Sequence, residues 1–371
     1  MRRGGKHYYA LDVTNPERPR FLWQIDGGSG DFEKLAQTWS RPSLISVNRG
    51  DVSEQVLVFG GGYDDSLDDL QASKPTAGNT VFFVDRQGQL ILSASHSRMN
   101  YAIPSDLAVI DSDDNGLADR IYVGDLDGQI FRISFDDLND GLDVELFADL
   151  SDGDYRPFFY PPSVSNNVRP NKPDSLGILI GSGKRDNPVT DQNEGALFML
   201  EDYRNLAESS ANLPLTINDL YYANDALLQS ADASVRAQET EKRNDLSGWY
   251  LLLESGEKVL ANTLTFEGAA FVSVYKAIPN SDACAIPDSQ NKILAVNLFD
   301  AGPSNFLGDN TDLSHTGPDH DDRFTDLNVH GIANEPQLVF SANSNNAQLF
   351  VGKENVGELE LKINTVLWYG R

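Results

Sequence analysis

Short apolar segments punctuated by Gly, Asn and Asp recur along the chain, and long helical periodicity is scarce. Residues 6–13, 81–85, 121–124, 196–200, 293–296 and 348–351 are rich in aromatic and β-branched side chains, the pattern of strands. Several runs face a following run across a tight turn. Gln87-Gly88 separates 81–86 from 89–92, and Asp127-Gly128 separates 120–125 from 129–134. The Asp-Gly pair predicts a two-residue hairpin in which both turn positions take φ > 0.

A second layer of repetition narrows the fold class. Leu57-Val58-Phe59-Gly60-Gly61-Gly62-Tyr63-Asp64 and Ile178-Leu179-Ile180-Gly181-Ser182-Gly183-Lys184-Arg185 share one plan: an apolar strand, a Gly turn, a polar loop, then another aromatic strand. Antiparallel units repeated without intervening helices predict an all-β fold, a β-propeller rather than a sandwich or a parallel sheet. The Gly turns match neither GxGxxG nor GxxxxGK[ST] and no helix pattern follows them, so they read as tight backbone passages and not as phosphate loops. Residues 203–247 break the pattern and predict a partly helical insertion between blades, with a helical turn or two from Asp219 to Leu228. Residues 302–329, rich in Asp, Gly and Ser, predict an irregular acidic loop. No linker divides the chain, so residues 1–371 are expected to form a single propeller domain.

Charge removes several functions. The chain has 29 Lys and Arg against 56 Asp and Glu, a formal charge of −27. Such a surface repels phosphate backbones and anionic lipid, which excludes nucleic acid as an expected partner. It suits hard divalent cations, although most of the excess serves solubility. No apolar run approaches the roughly 18 residues of a membrane span. Cys284 is the single cysteine, which rules out an intramolecular disulfide, a CxxC pair and a Cys-rich zinc site. Residues 1–5 lead into a strand pattern with no signal-peptide apolar region, so an exported protein would carry its signal upstream of this chain.

The sharpest local feature is Asp111-Ser112-Asp113-Asp114-Asn115-Gly116-Leu117-Ala118-Asp119. In the numbering of a Ca²⁺ loop, Asp111, Asp113, Asn115 and Asp119 supply oxygen side chains at positions 1, 3, 5 and 9. Gly116 permits the sharp turn at position 6, and the carbonyl of Leu117 serves as position 7. Position 12 is Tyr122 and not Glu, and strand patterns flank the loop, so this is not a helix–loop–helix site. Mg²⁺ prefers fewer protein oxygens, which makes Ca²⁺ the expected ion, with an affinity anywhere from roughly 10⁻⁷ to 10⁻³ M. Against it stands the plain reading of a solvated Asp/Asn/Gly turn. His315, Asp319, His320, Asp321 and Asp322 gather metal-ligating groups at a spacing that matches no motif. Arg49-Gly50-Asp51 is an integrin-type tripeptide for which a turn is the default reading. No Ser/His/Asp order, HExxH or nucleophile elbow is present, so no catalysis is expected.

Several segments in order resemble the type IV pilus PilC/PilY family. They are Tyr9-Ala10-Leu11-Asp12-Val13-Thr14-Asn15-Pro16 with Phe21-Leu22-Trp23, Thr38-Trp39-Ser40-Arg41-Pro42, Phe59-Gly60-Gly61-Gly62-Tyr63, Gly181-Ser182-Gly183-Lys184-Arg185-Asp186-Asn187-Pro188, Gly248-Trp249-Tyr250 and Glu257-Lys258-Val259. The resemblance covers nearly the whole chain as that family's C-terminal propeller, with the loop of residues 111–119 where the family carries calcium. It implies a modified seven-bladed propeller of the quinoprotein dehydrogenase type. The implied role is pilus biogenesis, with Ca²⁺ occupancy coupled to pilus extension and retraction, twitching motility and adhesion at the pilus tip. Implied partners are the pilus machinery, minor pilins and a host-surface receptor; the implied location is the periplasm, outer membrane and cell surface. Carried over, the ligands are Asp111, Asp113, Asn115, Leu117 through its carbonyl, and Asp119. Family members carry a large variable N-terminal region that lies outside this chain, and adhesive specificity belongs partly to it.

Three rivals remain. A quinone-dependent dehydrogenase commonly sets adjacent cysteines against the quinone, which one cysteine cannot do. An integrin-like propeller repeats its DxDxNGxxD loop in several blades, whereas here it occurs once. A carbohydrate- or protein-binding propeller would carry the Ca²⁺ as a purely structural ion.

Overall fold

The computed structural model describes residues 4–50, 52–68, 77–167, 174–189, 193–203, 213–278, 288–304, 321–340 and 346–360. Apolar runs this short, each followed by turn residues, pair with their neighbours in the chain and build antiparallel sheets one after another. The first sheet holds β1 (His7–Asp12) and β2 (Arg20–Asp26). The second is β3 (Ser43–Asn48), β4 (Ser53–Gly60), β5 (Val81–Val84) and β6 (Leu90–Ala94). The third contains β7 (Ala108–Ile110), β8 (Arg120–Gly124), β9 (Gln129–Ser134) and β10 (Asp143–Asp149). The fourth begins with β11 (Ser163–Asn167), β12 (Ser175–Gly181) and β13 (Ala196–Tyr203). Two short strands, β14 (Leu215–Thr216) and β15 (Tyr221–Tyr222), then add parallel edges to the third and fourth sheets, and β16 (Gly248–Leu252) joins β13. The fifth sheet is built on β19 (Ala269–Ile278), which pairs with β17 (Glu257–Val259), β18 (Leu264–Phe266) and β20 (Asp288–Asn297); β21 (Phe324–Leu327) extends it. The sixth is β22 (Pro336–Phe340), β23 (Asn346–Val351) and β24 (Glu354–Glu360).

The period of two in the strands explains the layering. In β4 and β5, Val56, Val58, Val81 and Phe83 enter the core shared with the third sheet, while Phe59, Phe82 and Val84 enter the one shared with the first. In β13, Ala196, Phe198 and Leu200 face the third sheet and Leu197 and Met199 face the fifth. Inner strands buried on both faces therefore read as unbroken apolar runs. Each buried Val, Leu or Phe contributes roughly 1.5–3 kcal/mol, so these cores outweigh any single polar contact in holding sheet to sheet.

The structure leaves one expectation unconfirmed and corrects others. The described strands make six sheets, with two strands in the first and three in the last, and no backbone pairing joins those two. The seven-blade count implied by the resemblance is thus not seen in the described residues. In the insertion, the segment expected to form a helical turn or two from Asp219 to Leu228 meets 3-10 turns only at its ends, Ile217–Asp219 and Leu227–Gln229, and holds a strand between them. Tyr221 pairs with Trp249 and Tyr222 with Tyr250, because the free edge of β16 satisfies more backbone groups than an isolated helical turn does. The helix, α1 (Ala233–Asp245), comes later. Asp232 caps it by accepting from the Ser234 N–H at 2.8 Å, and Lys242 and Arg243 lie in its last turn. Buried Arg243 fixes it to the fourth sheet through Glu201 at 2.7 Å and to the Phe299 carbonyl at 3.0 Å. Of the acidic segment 302–329, residues 305–320 lie outside the described residues, and Phe324–Leu327 is a strand and not irregular.

The hairpin turns also differ from the expectation. Only Gly88 and Gly128 take positive φ, at +80° and +83°, while Gln87 and Asp127 do not. Each loop has three residues, because Asp85 and Asp125 fold back and accept two amides apiece. Asp85 Oδ1 takes the Gln87 and Gln89 N–H groups at 2.8 Å, and Asp125 Oδ1 takes those of Asp127 and Gln129 at 2.9 and 3.0 Å.

Candidate functional site

The loop between β7 and β8 is shaped by its own carboxylates. Asp111 accepts the Asn115 N–H at 3.1 Å and the Gly116 N–H at 2.7 Å, which turns the backbone back on itself. Asp114 and Gly116 adopt left-handed conformations at φ +60° and +87°, and only a Gly or an Asx-type residue does so at little strain. The far end is pinned to the fold. Ala118 donates to the Ser46 carbonyl of β3 at 2.7 Å, and the Asp119 carbonyl accepts from Phe135 at 3.0 Å.

This folding brings Asp111, Asp113 and Asp119 together: one carboxylate oxygen from each lies within 4.8 Å of the others. Three anions at that separation repel, and a hard cation among them answers the repulsion. Asp113 is exposed, whereas Asp111 and Asp119 are half-buried. Desolvation pushes the Asp119 carboxyl above the ordinary aspartate value, against the pull of the Ser112 hydroxyl and amide at 2.8 and 3.1 Å. At Asp111 desolvation acts in the same sense, but the Gly116 and Asn115 amides outweigh it and hold the carboxyl low. Asn115 sits beside the trio: its Nδ2 donates to Asp113 at 2.9 Å, while its Oδ1 accepts the Leu117 N–H at 2.7 Å. Leu117 is half-buried and follows Gly116 at the turn.

The other sequence candidates do not join this cluster. Arg49 pairs with Glu54 at 3.1 Å and Gly50 donates to Asp137 at 2.7 Å in the β3–β4 turn; Asp51 lies outside the described residues. Cys284, His315, Asp319 and His320 lie outside them as well.

Two features escaped the sequence reading. Next to Asp119, Arg120 enters a buried ionic cluster between the third and fourth sheets. Asp202, at the end of β13, is fully buried and accepts from Arg132 at 2.6 Å, from Arg120 at 3.4 Å and from the Tyr122 hydroxyl. Arg132 also pairs with Glu145. Nothing in a single sequence links Asp202 to strands about 70 to 80 residues away. The second feature is Asp125, wholly buried at the β8–β9 turn. Its pKa is pushed up to about 8, first by burial and then by Asp127 and Asp149 nearby, despite the two amides it accepts. Here a signal existed: Asp85-Arg86-Gln87-Gly88-Gln89 and Asp125-Leu126-Asp127-Gly128-Gln129 repeat one turn.

No family model matches the chain. Among curated proteins it is similar to the type IV pilus biogenesis factor PilY1 homolog of Xylella fastidiosa, 25% identical over 309 residues, 81% of this chain and 23% of that protein. It is also similar to the type IV pilus biogenesis factor PilY1 of Pseudomonas aeruginosa, strain PAO1, 29% identical over 135 residues, 36% of this chain and 10% of that protein. The chain thus spans about a quarter or less of the length of these relatives. Among solved structures, the C-terminal domain of Pseudomonas aeruginosa PilY1 superposes with a TM-score of 0.68 at 18% identity, covering 96% of this chain and 78% of that one. The family resemblance carried by the sequence motifs is thereby shown: the chain is a relative of type IV pilus biogenesis factors PilY1 and has the mostly-β fold of the PilY1 C-terminal domain.

Proposed function

We propose that this chain is the calcium-responsive β-propeller of a type IV pilus biogenesis factor, working at the cell envelope with the pilus machinery and its minor pilins, and not an enzyme. The observation that carries the reading is the convergence of Asp111, Asp113 and Asp119 in a chain whose relatives are named pilus biogenesis factors. In this reading residues 1–371 are one propeller domain and the six described sheets are its blades. Asp111, Asp113, Asn115, the Leu117 carbonyl and Asp119 are the oxygen set offered to the ion. Bound Ca²⁺ supplies positive charge that offsets three clustered carboxylates.

The chain's own residues transmit the change. Asp119 ends the loop and Arg120 begins β8, so loop order bears directly on the guanidinium that meets Asp202 between two sheets. A ligand shifts such an arrangement only by its differential affinity for the two states. The ordered loop is the state the pilus machinery reads, setting extension against retraction, twitching motility and surface adhesion.

The test is complementation of a strain lacking the full-length protein with wild type, Asp111→Ala/Asp119→Ala and Asp119→Lys, the lysine imitating the occupied charge. Calorimetric Ca²⁺ titration runs beside it. Heat only from wild type, with pilus number differing between the alanine and lysine strains, supports the reading. Equal heats would remove the metal site; equal pilus counts would remove occupancy as the signal.

A further inference from the structure

Five of the six sheets send to one place a segment that precedes one of their strands. Arg41 stands before β3, Pro104 and Asp106 before β7, Tyr160 before β11, Asn262 before β18 and Glu335 before β22. They line two adjoining cavities of about 370 and 550 Å³ that share Tyr160, Asn262 and Glu335. Clefts of this size, with a few convergent polar groups, are where small ligands bind.

The lining has a definite chemistry. Its planar polar side chains are held in pairs before any ligand arrives. Arg41 bridges to Asp106 at 2.9 Å, and Asn262 donates to Glu335. Each pair offers a donor and an acceptor side by side, which suits adjacent hydroxyl groups. Aromatic rings stand among them: Trp39, stacked on Tyr63 at 4.6 Å and 25°, lines the smaller cavity, and Tyr160 lines both. The third element is charge. Arg185 lines the larger cavity and donates its Nε–H to the Tyr160 hydroxyl at 3.2 Å. Its two terminal nitrogens have no partner among the described residues, nor has the exposed ammonium of Lys353 on the same wall. On a chain of formal charge −27, a pocket with two unpaired cations against Glu335 is a local reversal of sign. A guanidinium fork with both outer nitrogens open matches a carboxylate.

We infer that this cleft binds a saccharide bearing a carboxylate, with hydroxyls on the Arg41–Asp106 and Asn262–Glu335 pairs, a ring face on Trp39 or Tyr160, and the carboxylate on Arg185. The binding goes beyond the calcium reading and does not depend on it.

Calorimetry with 3′-sialyllactose and lactose, without added calcium, tests it. Sialyllactose is expected to bind at least about tenfold more tightly than lactose, the worth of one charge-assisted contact. Arg185→Gln should bring the two within about threefold, and Asn262→Ala should weaken both. Lys353→Gln, at an exposed position, should lower only the preference for the acidic sugar. Asp111→Ala should bind sialyllactose like wild type, which separates this site from the metal loop. Absence of heat with either sugar, an unchanged preference in both cation variants, or equal binding of a hexaglutamate peptide would overturn the inference.

Discussion

Strand β8 carries a turn rich in Asp and Gly at each end, and the two resolve the same electrostatic problem in different ways. At its start, residues 111–119 bring three carboxylates within 4.8 Å at a part-exposed surface. At its end, Asp125 accepts two amides much as Asp111 does, but no water reaches it. The open turn leaves room for a cation. The closed turn answers with a proton, because burial raises Asp125 to about 8 and no cation stands against it among the described residues. Local sequence builds both turns; the neighbours decide how far each is closed to solvent.

The largest effect should come from removing the buried anion on β13 that anchors the strand the two turns share. Asp202→Ala leaves Arg132 and Arg120 buried without their common anion, and is expected to cost about 3–5 kcal/mol in chemical denaturation. A loss under 1 kcal/mol would show that β8 is held by its apolar residues alone.

Next is the closed turn. The folded protein holds the Asp125 proton to about pH 8, whereas the unfolded chain releases it near 3.8, so the native state binds the extra proton between those values. Stability should therefore fall as pH rises through that window. Asp125→Asn keeps the acceptor oxygen and removes the titration. At pH 8 it should be more stable than wild type by about 2 kcal/mol or more, the gap closing toward pH 4. Parallel pH–stability curves would refute a proton at that position.

The open turn should respond to metal instead. At a hundredfold excess over the dissociation constant, Ca²⁺ should stabilise wild type by about 2.7 kcal/mol, and Asp111→Ala/Asp119→Ala by nothing measurable. Thermal melts with and without chelator read this directly. If Asp125→Asn abolished the calcium shift, the two ends would not be independent.

The smallest contrast is between two glycines. Gly116 and Gly128 have nearly the same φ, +87° and +83°, yet a Cβ on Gly116 meets nothing within 4 Å, while one on Gly128 meets Ser151 and Arg156 at 3.2–3.3 Å. Gly116→Ala should cost about 1–2 kcal/mol from the left-handed backbone alone, and Gly128→Ala measurably more. Equal costs in urea titrations would mean that the Gly128 neighbours yield freely.

How much of this could be read beforehand depends on the range of the interaction. The convergence of Asp111, Asp113 and Asp119 was legible because the three lie within nine residues and their spacing is itself the geometry. The strand runs were legible because two-sided burial makes them apolar throughout. The insertion was misread at Tyr221-Tyr222, where an aromatic pair in an Ala/Leu-rich stretch finds the free edge of β16. The hairpins were misread because the Asp before each turn changed the loop from two residues to three. Asn262 and Glu335 carried no signal, since each is an isolated polar residue in a loop, and Arg41 and Arg185, although inside recognised motifs, carried none that they share a cleft.

By itself, then, the sequence determined the class of fold, the antiparallel order of most of its strands and the place of one carboxylate cluster. These follow from alternation and turn chemistry, which act over a few bonds. Only the tertiary structure decided that Asp125 is buried, that Asp202 lies between two arginines, and that five loops meet in a polar cleft. Those facts depend on which sheet stands beside which, and burial and Coulomb energy are properties of that arrangement rather than of any segment alone.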